Sequence, residues 1–348
     1  MRQDGYHESR RRVLVVGAGL TGASLAWLAA ARGHEVLVVS SDRPASQATA
    51  LAPGLVHGFG LPGGLAAWTA LSDEDGLLAA RRDRHGYDLL RQVILASHRP
   101  TGFFRCAHLV VADSGLEEER VDRAAARLEE LGFPVQRREH AGSAALVRED
   151  DALVHPRRLT FELLYRARAA GARIRLGVAC LELARGAAGE VSAATTVGDL
   201  EADQVYWAAG RLVPGEPQSS ELTVRIVLHQ TLAPGREPLE EMLECADGAA
   251  LLAPHPSRRG HTVLARVAEE TVAGGLHWPE PPPAWDVYRG PAIRQLLSEA
   301  VTGPPGLHLG TPGPVQSMVG FSGWPVATVL GACAEAVGLP EGATPKPV

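Results

Sequence analysis

Lysine is almost absent from this chain. Lys346 is the only one, so arginine carries the positive charge throughout the body of the protein. A lysine-anchored Schiff base has nowhere to form, which excludes pyridoxal chemistry of that kind. Cysteine is sparse too. Cys106, Cys180, Cys245 and Cys333 lie far apart with no Cys-x-x-Cys pair. Neither a disulfide framework nor structural zinc is expected, and a reduced, cytoplasmic setting is the default. No apolar run approaches the ~20 residues that span a bilayer, and residues 1–12 are too polar for a secretory signal. The net charge of −6 argues against nucleic acid as a partner. The Arg10–Arg12 run reads as a solvated lead-in to the first strand. Gly-x-Ser-x-Gly, the P-loop and metal-ligand spacings of histidine and cysteine are all missing, so hydrolase, NTPase and metal-site readings have no support.

What is present is an ordinary globular composition, 45% hydrophobic and 21% charged over 348 residues, enough for about two domains. The richest stretch is Arg12-Val-Leu-Val-Val-Gly17-Ala-Gly19-Leu20-Thr21-Gly22-Ala23. Four aliphatic residues in a row read as a buried parallel strand. They enter Gly-x-Gly-x-x-Gly, then an Ala/Leu-rich helix to Arg32 stopped by Gly33, then a second strand from Glu35 ending at Ser40. This βαβ order is what a dinucleotide needs. Gly17 allows the tight turn, Gly19 lets backbone approach a pyrophosphate, and Gly22 lets helix and strand pack closely. The diphosphate then meets the amides of Leu20 and Thr21 at the helix N-terminus.

Further along, 41–64 is rich in Gly, Pro, Ser and Ala, an irregular stretch of a length that is usually functional. A helix is expected over about 66–97, a strand over 107–112 and a charged helix over about 116–131. Pro156 opens another helix, whose Leu159, Leu163, Ala167 and Ala170 share a face before Gly171 ends it. Strands follow at 173–176, around 181, at 191–196 and at 203–210. Residues 213–220 and 274–283 read as Pro-rich crossings. Between them, strands at 223–228, 249–253 and 261–266 suit an antiparallel sheet. A short strand at 306–310 and a helix over about 326–337 close the chain.

This order of pieces resembles the D-amino-acid oxidase family of FAD-dependent oxidoreductases, which includes glycine and sarcosine oxidases. The βαβ unit carries the resemblance together with the stretch from Arg43 to His57, similar to the family's loop beneath the flavin and containing Ser46 and Thr49. Pro156-Arg-Arg-Leu159, the strand region 171–177 and Ala208-Ala209-Gly210 look like the middle FAD-binding segment. Gly320-Phe-Ser-Gly323-Trp324 looks like the closing glycine motif near the flavin ring. The resemblance implies an α/β fold: a Rossmann-type FAD-binding domain from three segments (1–90, 150–212, 300–348) and a smaller antiparallel cap domain (91–149, 213–299). It implies FAD as cofactor, and oxidation of an amine, amino acid or hydroxy acid by hydride transfer to flavin. It places the backbone of Cys180 against adenine. His57 follows the loop near the flavin as a catalytic candidate, and Arg289 is the candidate clamp for a substrate carboxylate.

Two departures stand out. The family's acid at the end of the second strand, which binds the adenosine ribose, is Ser40 here, followed by Ser41, Asp42 and Arg43. Loss of the acid beside an arginine also suits a 2′-phosphate, which makes an NADP-dependent reductase the first alternative. The family's carboxylate-binding arginine falls at Ala292, with Arg289 and Arg294 on either side. That leaves a flavin-binding scaffold without catalysis as a second alternative. Among other residues, His229 and Arg266 are cap candidates, and Trp324 reads equally as a flavin wall or a core residue.

Overall fold

β1 (Arg12–Val16), α1 (Leu20–Ala31) and β2 (Glu35–Ser40) form where the residue pattern places them. In this computed structural model the described residues are 10–52, 54–56, 73–112, 115–130, 134–186, 189–210, 222–231, 239–245, 250–254, 261–270, 276–277, 292–297, 301–302, 308–309, 314–319 and 326–345. α1 is apolar on every side because it is enclosed on every side. Gly33, at φ +87°, ends it in the left-handed conformation that a β-carbon disfavours.

The first sheet runs His308–Leu309, Val315–Val319, Gln204–Trp207, β1, β2, Arg173–Leu176. All neighbours are parallel except the His308–Leu309 edge. Its faces follow the two-residue alternation of a strand. Val13 and Val15 pack with α1 and the helices Asp73–Leu95, Pro156–Ala169 and Val326–Ala336. Leu14 and Val16 pack with Trp207, Cys180 and Val191 on the other face. There an antiparallel meander, Cys180–Arg185, Val191–Thr195 and Gly198–Ala202, covers the sheet. Its third strand goes beyond the pair expected.

The second sheet is built from two distant stretches of chain. Its order is Ala292–Leu297, Leu222–Thr231, His261–Glu270, Ala250–Pro254, Met242–Cys245, His108–Val111, Ser143–Arg148, Gln136–His140. It is antiparallel apart from one junction. Met242–Cys245 runs parallel to His108–Val111, where the two stretches meet. On that side, Asp151 Oδ2 sits 3.0 Å from His108 Nδ1 and 3.2 Å from Arg148 Nη2, with all three side chains buried.

The helix Asp73–Leu95 touches both sheets' cores. Ala80 packs with Val110, Val121 and Leu146, while Tyr87, Leu89, Leu90 and Val93 join the core around α1. It crosses the terminal helix Val326–Ala336 at close range. A β-carbon on Gly86 would strike the Ala327 carbonyl, and one on Gly331 would strike that of Arg82.

Arg12, the last residue of the basic run, stays half exposed, as a solvated lead-in would be. It is the first residue of β1, and its Nη2 lies 2.9 Å from Asp203 Oδ1 while its amide donates to Asp203 Oδ2 at 2.7 Å. That pairing holds the Asp203 carboxyl below the usual carboxylate range. Among the described residues no helix is long and apolar enough to cross a membrane.

Candidate cofactor site

The glycine turn sits at the C-terminal edge of the first sheet, at the crevice where open α/β sheets bind ligands. Gly17 has φ +111°, and a β-carbon there would collide with the Ala208 carbonyl. Its amide donates to Val39 O at 2.8 Å, while Ala208 donates to Val16 O at 2.8 Å. The turn is thereby wedged between the ends of three parallel strands. Gly22 faces a second barrier, because its β-carbon would collide with the Gly17 carbonyl.

Gly19 is the N-cap of α1. Its backbone is extended, it supplies no capping side chain, and the first turn of the helix holds no acid. Thr49 compensates in part: its Oγ1 accepts from the Leu20 amide at 3.0 Å. The helix N-terminus therefore presents amide dipole without a competing carboxylate, the condition for an anion such as a pyrophosphate. These residues fit a dinucleotide.

The loop after β2 folds back over this turn. Ala45 is buried with φ +51°, unusual for a residue with a β-carbon, and its amide donates to Ala18 O at 3.1 Å. Gly54 pins the far end of the loop. The Val154 amide donates to Gly54 O at 2.8 Å, and a β-carbon on Gly54 would strike the Val154 carbonyl. Ala45 and Gly54 fall within the 43–57 stretch that the sequence assigns to this loop, with no individual role for either. Gly54 followed by apolar residues was the usable signal, whereas nothing marks Ala45.

Ser40 ends β2 half-buried, and its carbonyl accepts from Val178 at 3.0 Å. Ser41 and Ser46 are exposed. Asp42 accepts from the Gln47 side chain, an interaction local to the loop. Cys180 is buried against Val16 and Val39, and its Sγ lies 3.7 Å from Glu182 O. Ala209 and Gly210 follow the strand Gln204–Trp207, the latter at φ +69°. Gly17, Gly19, Leu20, Thr21, Gly22, Ser40, Ser41, Ala209 and Gly210 thus collect at the C-terminal ends of three adjacent parallel strands, with Thr49 bonded to α1. His57, Arg289, Gly320 and Gly323, together with Trp324, lie outside the described residues. Arg294 occupies the strand Ala292–Leu297 at the register position opposite His229.

Two buried thiols are not poised as nucleophiles. Burial pushes Cys106 up to about 12 and raises Cys333 as well.

A three-segment parallel sheet with a glycine turn, joined to a separate large sheet, defines a dinucleotide-binding enzyme class. Residues 12–325 match the family described as FAD dependent oxidoreductase, and the chain belongs to that family. It is an FAD-dependent oxidoreductase, so the NADP-dependent reductase alternative falls away. No curated sequence matches it. Among solved structures, glycine oxidase from Geobacillus kaustophilus superposes with a TM-score of 0.69 at 18% identity, covering 96% of each chain. Iminodiacetate oxidase from Chelativorans sp. BNC1 gives 0.70 at 18% identity over 97% of each chain. L-α-glycerophosphate oxidase from Mycoplasma pneumoniae, with FAD bound, gives 0.71 at 14% identity, covering 98% of this chain and 97% of that one. At such identities the likeness is one of fold.

Proposed function

We propose that this oxidoreductase oxidises a C–N bond in a small amine or amino acid, with the C–OH bond of a hydroxy acid as the second substrate class. The observation that carries this reading is family membership across 12–325, combined with a cofactor turn assembled at the ends of three parallel strands. Two of the structural neighbours are named for oxidising glycine and iminodiacetate, both C–N compounds, and a third for an alcohol, glycerophosphate. FAD supplies the hydride-accepting chemistry when bound.

In this reading the cofactor unit comprises 1–90, 150–212 and 300–348, and the substrate unit 91–149 and 213–299. Gly17, Gly19 and Gly22 leave room for the pyrophosphate at the N-terminus of α1, where the Thr21 amide would serve it and Leu20, its amide held by Thr49 Oγ1, lines the turn. Ser40 and Ser41 stand where the adenosine ribose is held. Ser46 and Thr49 belong to the loop that shapes the flavin side, Cys180 contributes backbone near adenine, Ala209 and Gly210 line the remaining edge, and Gly320 and Gly323 are assigned to the cofactor from their sequence motif alone. His57 is the candidate group beside the reacting carbon. Arg289 is the candidate clamp for the substrate's anionic end, because a guanidinium binds a carboxylate through two parallel bonds. Ala292 at the family's arginine position favours a second reading, in which flavin is bound but catalysis is lost. Incubating the flavin-loaded protein anaerobically with amines, amino acids and hydroxy acids separates the two. Loss of the oxidised-flavin spectrum with a C–N substrate supports oxidation, and an unchanged spectrum with every class supports the scaffold.

A further inference from the structure

Asp83 lies inside the crossing of the helices Asp73–Leu95 and Val326–Ala336, and no part of the cofactor turn uses it. It is fully buried, as is Thr328 on the facing helix. Neither Asp83 oxygen nor Thr328 Oγ1 makes a formed hydrogen bond among the described residues. The Thr328 hydroxyl lies on the Asp83 side of the crossing and favours the ionised carboxyl. The glycines at 86 and 331, one turn along each helix, bring the backbones this close. The charged groups facing Asp83 are Arg82 on its own helix and Arg148 from the second sheet, the latter already engaged with Asp151. His85, two residues on, accepts from the Gly342 amide instead.

Thr328 belongs to the first turn of the terminal helix. One face of that helix reaches the cofactor turn: Cys333 Sγ lies 3.7 Å from the carbonyl of Thr21, in the first turn of α1. Tyr206 of the parallel sheet donates to Ala336 O at 3.0 Å at the other end. The same helix thus joins Asp83 to the sheet edge that holds the dinucleotide.

We propose that Asp83 is a pH-responsive positioning residue, which steadies the terminal helix and α1's first turn while neutral and loosens FAD when ionised. This rests on the reading of the α1 turn as the FAD site. Neutral, the buried carboxyl carries no charge to desolvate and the crossing stays closed around it. Ionised, it carries a desolvation cost that Arg82, the Thr328 hydroxyl and Arg148 offset only in part, and opening the crossing to water relieves the remainder.

Burial pushes the Asp83 carboxyl up to about 7, Arg82, Thr328 and Arg148 offsetting part of the rise. An acid raised in the folded state binds its proton more tightly there than in the unfolded chain. Stability therefore falls as pH rises from the ordinary carboxylate value toward neutrality, then levels off once both states are ionised.

The test is FAD affinity of the full chain by flavin fluorescence, measured from about pH 5.5 to about pH 8.5, beside thermal melting of the flavin-free protein over the same range. For wild type, affinity is expected to weaken by about tenfold for each pH unit by which FAD binding shifts the titration. Asp83→Asn should hold the low-pH affinity at every pH and flatten the melting profile. Thr328→Val removes a group that favours the ionised carboxylate and should move both transitions to higher pH, and Thr328→Ser should leave them in place. An Asn variant with the wild-type pH slope in both measurements overturns the proposal. A melting slope that Asn removes, with FAD affinity flat in wild type, overturns the link to the cofactor. If wild type binds no FAD at any pH, the cofactor reading itself fails, and the melting profiles alone then decide whether Asp83 steadies the helix crossing.

Discussion

The amide of Leu20 donates to Thr49 Oγ1 at 3.0 Å, joining the first turn of α1 to the loop that follows β2. The N-cap itself supplies no side chain, so Thr49 performs from a distance the task a Ser or Asp performs at the cap. Thr49→Val keeps the shape and removes the acceptor. It should cost about 1 kcal/mol of stability in denaturant unfolding, and Thr49→Ser should restore it.

The three glycines of the turn differ in what they protect. Gly17 and Gly22 abut backbone carbonyls, whereas a β-carbon on Gly19 would lie 3.1 Å from Thr49 Oγ1 and touch nothing else close. Gly22→Ala is therefore expected to destabilise the fold itself, by about 1–3 kcal/mol as an overpacking change. Gly19→Val crowds only the Thr49 hydroxyl and should lower the melting temperature less than Gly22→Ala, while the purified protein loses its flavin. Full flavin content in Gly19→Val refutes the assignment of the loop.

Ser40 closes β2 where the family carries an acid, and its backbone is already anchored through Val178. Ser40→Glu should add charge-assisted hydrogen bonds to the ribose hydroxyls and tighten FAD by about 1 kcal/mol or more. Titration calorimetry of wild type and variant checks this, and weaker FAD in the variant contradicts the ribose placement.

In the proposed reading one arginine near Ala292 in the sequence, Arg289 or Arg294, binds the substrate carboxylate. Replacing the one that binds the carboxylate by Ala should raise KM sharply, since a buried anion left without its partner costs on the order of 2–5 kcal/mol. Flavin content should stay normal. Wild-type kinetics for both variants with every acidic substrate would point to a neutral amine.

The parts of the molecule legible in the sequence are those whose causes are local. β1, α1, β2 and the Gly17–Gly22 turn are specified by neighbouring residues, and the structure has them within a few positions of where the pattern puts them. Gln136–His140 was invisible because its side chains are polar and it becomes a strand only by pairing with Ser143–Arg148. Val315–Val319 likewise owes its place to a parallel neighbour far back in the chain, Gln204–Trp207. Side-chain partnerships were harder still. Arg12 meets Asp203 across 191 positions, and the encounter of Asp83 with Thr328 exists only because two helices cross on glycines. Thr49 was named through the family loop, yet its bond to Leu20 could be seen only in the folded chain.

The central claim is that the turn at Gly17–Gly22 holds FAD for the oxidation of a C–N substrate. The most direct measurement is the visible spectrum of the flavin-loaded protein, recorded without oxygen before and after adding a panel of amines and amino acids. The account predicts an oxidised-flavin spectrum that bleaches with at least one C–N substrate and returns when an electron acceptor is admitted. A protein that takes up no flavin, or one whose flavin no amine, amino acid or hydroxy acid bleaches, contradicts it.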